Sequence, residues 1–184
     1  LRALRFIKPD FVDFLRIFQF QREFIDVRDR EGTLEIVARG PQVHVMAFEI
    51  PVLAIVNELY FRRGDARTAL AEGRARLRDK VALLRAFGGE PARRNPFEFF
   101  DFGVRRRYSG AWQHEVLATL QREVPQFFKG TSNVRLAYEL GLTPIGTMAH
   151  EFLQTYQSLG VRLRDFQRAA LEAWVQEYRG DLGI

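Results

Sequence analysis

The feature that most constrains the fold is an alternation in the second half of the chain, where a short apolar strand, a glycine-containing turn and a helix follow one another three times. The strands are predicted at 97–101, 127–129 and 142–145, and the helices after them at 110–123, up to Gly141 and up to Gln157. Strands that alternate with helices are typical of parallel sheets with right-handed crossovers. The three turns are therefore expected at one end of the sheet, where α/β folds bind their ligands.

The side chains of these turns share a chemistry that suits a flat, anionic, phosphate-bearing ligand. They comprise an aromatic ring, an arginine, three hydroxyls and a histidine: Phe102, Arg105, Thr131, Ser132, Thr147 and His150. Arginine pairs with phosphate in a planar, bidentate geometry. The backbone N–H groups at helix starts attract phosphate, and glycine lets a backbone approach a ligand closely. The sequence thus predicts a binding site at the turns.

The first half of the chain has a different organisation, which predicts an α+β region over residues 1–90. It begins with a helix from Pro9, followed by strands at 24–29, 34–39 and 42–48. Two helices come next. The first, over 49–62, is apolar nearly all round and is expected to be buried, whereas the second starts at Asp65 and is amphipathic. Residues 91–96 read as a linker, so the second domain is predicted over 97–184.

Charge and composition narrow the classes of protein that remain. The chain has 28 Lys+Arg and 23 Asp+Glu, a net charge of +5, and most arginines alternate with acidic residues, which is typical of a solvated surface. It has no cysteine, which excludes disulfides and a thiol nucleophile and agrees with a cytoplasmic location. The most apolar stretch, 45–56, is interrupted by Glu49 and Pro51 and falls below the ~20 residues of a membrane span. No cluster of potential ligands at protein-metal spacing is visible, so no dedicated metal site is predicted.

The residues of the three turns also resemble a known family. Order, spacing and identity agree with the three central motifs of the nicotinate phosphoribosyltransferases at Asp101-Phe102-Gly103-Val104-Arg105-Arg106-Arg107-Tyr108-Ser109, Gly130-Thr131-Ser132-Asn133-Val134 and Pro144-Ile145-Gly146-Thr147-Met148-Ala149-His150-Glu151. Protein kinases share the Asp-Phe-Gly string, but this chain lacks their glycine-rich and His-Arg-Asp loops. The resemblance covers nearly the whole chain. It implies a central fragment of a protein more than twice as long, in which part of an α+β domain precedes the first βα units of an incomplete α/β barrel.

The resemblance implies a reaction and its partners. Enzymes of this family join nicotinate to phosphoribosyl diphosphate, which yields nicotinate mononucleotide and diphosphate, with coupled ATP hydrolysis, as the entry step of NAD salvage. ATP would be a co-substrate, and magnesium (Mg2+) would arrive with the diphosphate substrates. The implied assembly is a cytoplasmic homodimer with a shared active site. The fragment alone is expected to be inactive.

The resemblance also implies roles for single residues. Phe102 matches the aromatic residue that stacks on the pyridine ring, and Arg105 matches an arginine that contacts phosphate. Ser132 and Thr147 correspond to positions near the nicotinate carboxylate. The turn residues Gly130 and Thr131 complete this phosphate- and nicotinate-binding segment.

His150 matches the histidine that the family phosphorylates from ATP. Such a role requires a neutral imidazole nucleophile whose second nitrogen is held by a partner.

Two alternatives remain open from the residues. One keeps the fold and uses nicotinamide or quinolinate as the substrate. Ser132 argues against nicotinamide, because the nicotinamide enzymes that resemble this chain carry Asp at the matching position. The other is a non-catalytic basic module that binds nucleic acid through Arg105, Arg106 and Arg107 beside Tyr108 and Trp112, although no basic stripe or nucleic-acid-binding signature accompanies them.

Overall fold

The computed structural model describes residues 1, 4, 6–88, 97–180 and 182, and it divides the chain into two compact units. Unit 1 comprises Leu1–Met46 and Gly146–Ile184, and unit 2 comprises Ala47–Ile145. The predicted linker at 91–96 lies outside the described residues. The described residues on both sides of it belong to unit 2.

Unit 1 combines a β-hairpin with helices from both ends of the chain. Its elements are α1 (Pro9–Ile17), β1 (Ile25–Arg30), β2 (Thr33–Ala38), α2 (Gln42–Val45), α7 (His150–Tyr156) and α8 (Phe166–Tyr178). The strands β1 and β2 are antiparallel, with Arg30 opposite Thr33 across a two-residue turn, as the alternating pattern predicts. Helix α7 packs on α8, where the Phe152 ring meets the Trp174 ring edge-on at 5.6 Å.

Unit 2 carries the predicted alternation of strands and helices. Its elements are α3 (Glu49–Phe61), α4 (Ala66–Gly88), β3 (Phe99–Asp101), α5 (Gly110–Glu123), β4 (Phe128–Thr131), α6 (Val134–Leu140) and β5 (Thr143–Pro144). The three strands form one parallel sheet in the order β3-β4-β5. The mixed α and β fold class, with parallel βα units after residue 97, is confirmed.

Polar side chains start the helices that follow β3 and β4. The Ser109 hydroxyl accepts a hydrogen bond from the Trp112 N–H at 3.0 Å, and the Asn133 side-chain carbonyl accepts one from the Leu136 N–H at 3.2 Å. Both are N-caps that satisfy otherwise unpaired donors of a first helical turn. Glycine is required at position 130 of β4, because a Cβ there would lie 2.0 Å from the Thr143 carbonyl oxygen of β5.

The core of unit 2 forms where α4 and α5 cover the sheet. Its buried members are apolar residues from α4, α5, β4 and α6 and from the turn before β4: Val81, Leu117, Leu120, Val124, Phe127, Phe128 and Leu136. Helix α4 comes close to α5 at Gly73, where a Cβ would lie 2.9 Å from the Trp112 ring. The amphipathic stripe predicted for α4 is thus the face that packs.

Two predictions for the first half are wrong. Residues 42–48 do not form a third strand; helix α2 begins there because the Pro41 carbonyl accepts the N–H groups of His44 and Val45, which closes a helical turn locally. Helix α3 is not a buried helix either. Only Ala54 of its residues is fully buried, and Ile55 is 57% exposed.

The stretch Gln42–Phe61 is long and apolar enough, by length and composition, to be counted as a potential membrane span. It contains helices α2 and α3 and is the one such stretch within the described parts of the chain. A single stretch of this kind is weak evidence for a membrane protein, since core helices of soluble proteins have the same composition.

Candidate functional site

The first turn of the predicted site follows β3 and presents an exposed aromatic ring. Phe102 comes directly after the strand and is 52% exposed. Residues Val104–Arg106 then form a single 3-10 turn, and Arg107 leads to the cap of α5. Large aromatic side chains are usually buried, so an exposed ring at the carboxyl end of a parallel strand is a candidate ligand contact.

The second turn follows β4 and has one buried and one accessible hydroxyl. Thr131 is fully buried, whereas Ser132 is partly exposed. The Ser132 N–H donates to the Asp101 carbonyl at 2.8 Å, which continues the sheet pairing beyond the end of β4. The partial exposure of Ser132 leaves its side chain within reach of a ligand.

The carboxylate of Asp101 joins the first two turns. One of its oxygens accepts the Gly103 N–H at 3.0 Å. The other accepts the Thr131 hydroxyl at 2.7 Å and the Gln113 side-chain amide at 2.8 Å. Thr131 Oγ1 in turn accepts the Asn133 N–H at 3.0 Å. The buried hydroxyl of Thr131 therefore holds the turn in place within unit 2.

The guanidinium of Arg105 is tied to α3. Its Nη1 pairs with the Glu49 carboxylate, and its side chain remains partly exposed. A guanidinium carries five N–H donors in a planar fork, so one carboxylate contact does not exhaust its capacity for a phosphate. The structure thus places Arg105 on the same turn as Phe102, with its orientation set by Glu49.

Polar side chains of α3 hold the first turn, and the sequence analysis missed them. The Asn57 side-chain amide donates to the Arg105 carbonyl at 3.0 Å. The Glu58 carboxylate accepts the Gly110 N–H at 3.2 Å and lies 3.7 Å from Arg107. The signal was present in the sequence, because Glu49, Asn57 and Glu58 interrupt a helix that is otherwise largely apolar.

The third predicted turn lies in unit 1. The division between the units falls between Ile145 and Gly146, so Thr147 and His150 belong to unit 1, whereas the first two turns belong to unit 2. Both side chains are exposed, and His150 is the first residue of α7. The structure therefore brings together the predicted site residues of the first two turns, Phe102, Arg105, Gly130, Thr131 and Ser132.

Sequence models of one protein family match most of the chain. The model for the nicotinate phosphoribosyltransferase (NAPRTase) family matches residues 97–184, and the model for the NAPRTase N-terminal domain matches residues 1–57. The N-terminal match ends within α3, and the other match begins just before β3.

Individual relatives agree with the family models. The chain is 69% identical over 184 residues to a nicotinate phosphoribosyltransferase of Herminiimonas arsenicoxydans and 59% identical over 186 residues to one of Chromobacterium violaceum. Each alignment covers 100% of this chain and 46% of the relative, so the chain spans about half the length of these curated relatives. The crystal structure of nicotinate phosphoribosyltransferase from Porphyromonas gingivalis superimposes with a TM-score of 0.82 at 33% identity, over 99% of this chain and 45% of that one. The chain belongs to the nicotinate phosphoribosyltransferase family.

Proposed function

We propose that the full-length protein to which this chain belongs is a nicotinate phosphoribosyltransferase, which forms nicotinate mononucleotide and diphosphate from nicotinate and phosphoribosyl diphosphate with coupled ATP hydrolysis. The observation that carries the proposal is the pairing of the first two turns. The exposed Phe102 ring and the Ser132 hydroxyl lie on turns that the Ser132 N–H to Asp101 carbonyl bond, at 2.8 Å, holds side by side. A flat ring with an anionic substituent requires such a surface for stacking and such donors.

The turn chemistry supports the acid rather than the amide as substrate. A nicotinate carboxylate accepts hydrogen bonds and is repelled by a negative charge in a desolvated pocket. Ser132 brings a hydroxyl donor without charge. A nicotinate contact from Thr147, which belongs to unit 1, stays an expectation from the family resemblance. Phe102 would stack on the pyridine ring.

Of the remaining residues of the first two turns, Arg105 is proposed to bind phosphate, and Gly130 and Thr131 are proposed to shape the second turn. Arg105 would contact a phosphate of the ribosyl substrate or of the product, with its guanidinium oriented by Glu49. Gly130 and Thr131 shape the second turn, where Thr131 acts through its bonds to Asp101 and Asn133. Magnesium (Mg2+) bound to the diphosphate substrates would neutralise part of their charge.

His150 is the proposed site of phosphorylation by ATP. A neutral imidazole nitrogen attacks the γ-phosphorus, the bond to the β,γ-bridging oxygen breaks, and ADP leaves with the electron pair of that bond. Water later hydrolyses the phosphohistidine, which returns the imidazole and inorganic phosphate. The exposure of His150 at the start of α7 supports this role, because the imidazole can be reached by a nucleotide. The proposed assembly is a cytoplasmic homodimer.

The proposed function is tested with the full-length protein and a Ser132→Asp variant in steady-state assays of mononucleotide formation. The wild-type protein should convert nicotinate in preference to nicotinamide. The variant should raise KM for nicotinate about a hundredfold if ~3 kcal/mol of binding is lost, because a carboxylate then faces a carboxylate. Ser158→Asp, at an exposed position after α7, is the matched control and should change neither substrate's constants.

Two results would contradict the proposal. If the wild-type protein forms no mononucleotide from nicotinate and phosphoribosyl diphosphate, the proposed activity is wrong. An unchanged preference of Ser132→Asp for nicotinate would show that Ser132 does not face the ring substituent.

The ATP-coupling step has a separate test. His150→Ala in the full-length enzyme should lose ATP hydrolysis and the acid-labile phosphoryl label, and should keep a slow synthesis without ATP. His114→Ala, on the exposed face of α5, is the control and should keep both. Stoichiometric ATP hydrolysis by His150→Ala would assign the phosphoryl acceptor to another residue.

A further inference from the structure

Gln113 is a buried polar residue in the first turn of α5, and it touches both of the turns that form the candidate site. It is 4% exposed, one of two buried polar residues in the described parts of the chain, and the other is Thr131 of the same network. Burying a primary amide costs free energy unless its donors and acceptor are satisfied. A glutamine in this position therefore needs partners, and its partners are the turns themselves.

The amide of Gln113 is bonded on both sides. Its Nε2 donates to Asp101 Oδ2 at 2.8 Å, where β3 ends. Its Oε1 accepts from Asn133 Nδ2 at 3.1 Å, where α6 begins, and from Arg107 Nη1 at 3.4 Å. One side chain thus connects the first turn, the second turn and the segment before α5.

The direction of every bond in this chain of contacts is fixed by chemistry. A carboxylate only accepts and a guanidinium only donates, so the Gln113 amide nitrogen must face Asp101 and its oxygen must face Arg107. The Asn133 carbonyl is already occupied by the Leu136 N–H at the cap of α6, which turns the Asn133 NH₂ group toward Gln113. Reversing either amide would set donor against donor or acceptor against acceptor.

We propose that Gln113 is a positioning residue that fixes the first turn against the second, and so sets the spacing between the ring of Phe102 and the hydroxyl of Ser132. The proposal rests on the proposed function for its kinetic consequence, although the connection between the turns stands on geometry alone. Gln113 is buried, so we place its effect on the site through the turns. It acts through Asp101, whose carbonyl receives the Ser132 N–H, and through Asn133, the neighbour of Ser132.

The test uses the full-length protein with Gln113→Met, which keeps the length of the side chain and removes its donors and acceptor. Gln121→Met is the matched control, because Gln121 lies on the same helix and donates to the Leu140 carbonyl at 2.8 Å, at the far end of α6 from the turns. The first readout is amide hydrogen exchange at Gly103, Ser132 and Asn133. Exchange there should accelerate at least tenfold in Gln113→Met and stay unchanged in Gln121→Met.

The second readout is kinetic and separates positioning from general destabilisation. In assays at equal folded fractions, Gln113→Met should raise KM for nicotinate about tenfold, with a smaller change in KM for phosphoribosyl diphosphate, because the spacing between Phe102 and Ser132 concerns the pyridine ring. Gln121→Met should change KM for nicotinate and KM for phosphoribosyl diphosphate less than threefold. Equal constants for the two variants would overturn the kinetic role.

The two readouts separate failure of this inference from failure of the proposed function. If the wild-type protein makes no mononucleotide, the proposed function fails, and hydrogen exchange still decides whether Gln113 fixes the turns. Exchange at the three amides that is the same in Gln113→Met and Gln121→Met would overturn the positioning role whatever the activity.

Discussion

Helices α3 and α4 are neighbours along the chain of unit 2, and the burial of each helix is the opposite of what its composition suggests. Helix α3 is apolar at nearly every position, and its large side chains are largely exposed, including Ile50, Ile55 and Leu59. Helix α4 is rich in charged residues, and its Val81 is 6% exposed in the core. Total hydrophobicity therefore does not decide which helix is buried.

The difference lies in which side chains face the rest of the unit. The apolar residues of α4 recur at helical spacing and form one stripe, so a single face can pack on α5 while arginines remain in water. Helix α3 instead turns Asn57 and Glu58 toward the first turn, which leaves its apolar side chains on the outside. Exposed apolar patches are typical of surfaces that contact something else.

The largest expected effect comes from the same charge placed in each helix of the 184-residue chain. Val81→Asp buries a carboxylate among apolar side chains and should cost more than about 4 kcal/mol, enough to abolish the cooperative unfolding of unit 2. Ile55→Asp is its matched control, since both replace a β-branched residue, and should change the free energy of unfolding by less than about 0.5 kcal/mol. Urea unfolding followed by circular dichroism measures both. Equal losses of unfolding free energy in the two variants would contradict the difference in burial between α3 and α4.

A smaller effect is expected on self-association through the outer face of α3. The double change Ile55→Lys and Leu59→Lys removes two exposed apolar side chains, each worth about 1.5–3 kcal/mol when fully buried. We expect the 184-residue chain to self-associate through this apolar face. The double variant should weaken that association at least about tenfold by analytical ultracentrifugation and lower the binding of an apolar dye. Ala69→Lys with Ala71→Lys adds the same charge to exposed positions of α4 and serves as the control. If the control weakens association as much, net charge and not the α3 face is responsible.

The second half of the chain could be predicted closely because its signals are local. Ser109 caps the start of α5 and Asn133 caps the start of α6, and the bounds of α5 agree with the prediction at both ends. The orientation of α3 and the bonds from Asp101 to Thr131 and Gln113 could not be predicted in this way. Asp101 lies 12 positions from Gln113 and 30 positions from Thr131 along the chain. Hydrophobic periodicity carries no information about which distant polar groups will pair.

The candidate site was predictable in part for the same reason. Phe102, Arg105 and Ser132 were found because a strand followed by a turn places them at the end of the sheet. Thr131 was predicted on the same grounds. In the structure its hydroxyl donates a hydrogen bond to the Asp101 carboxylate and accepts one from the Asn133 N–H. Whether these residues bind substrate stays a prediction.

The smallest expected effect concerns the charged face of α4, where Arg74 and Glu115 form a bidentate pair with α5 at 2.6 and 2.8 Å. The hydrogen bond from Arg74 lowers the pKa of the Glu115 carboxyl below its ordinary value. A carboxyl with a lowered folded-state pKa adds stability above its unfolded pKa of about 4.3 and loses it as the pH falls through the folded value. Because both side chains are more than a third exposed, solvent screens the pair and the coupling should be the smallest of these effects. A double-mutant cycle with Arg74→Ala and Glu115→Ala at pH 7 measures it, and the coupling should vanish at a pH well below 4 and shrink in high salt. A coupling that persists in acid would mean that α4 is held to α5 there by packing, as at Gly73 and Trp112, and not by charge.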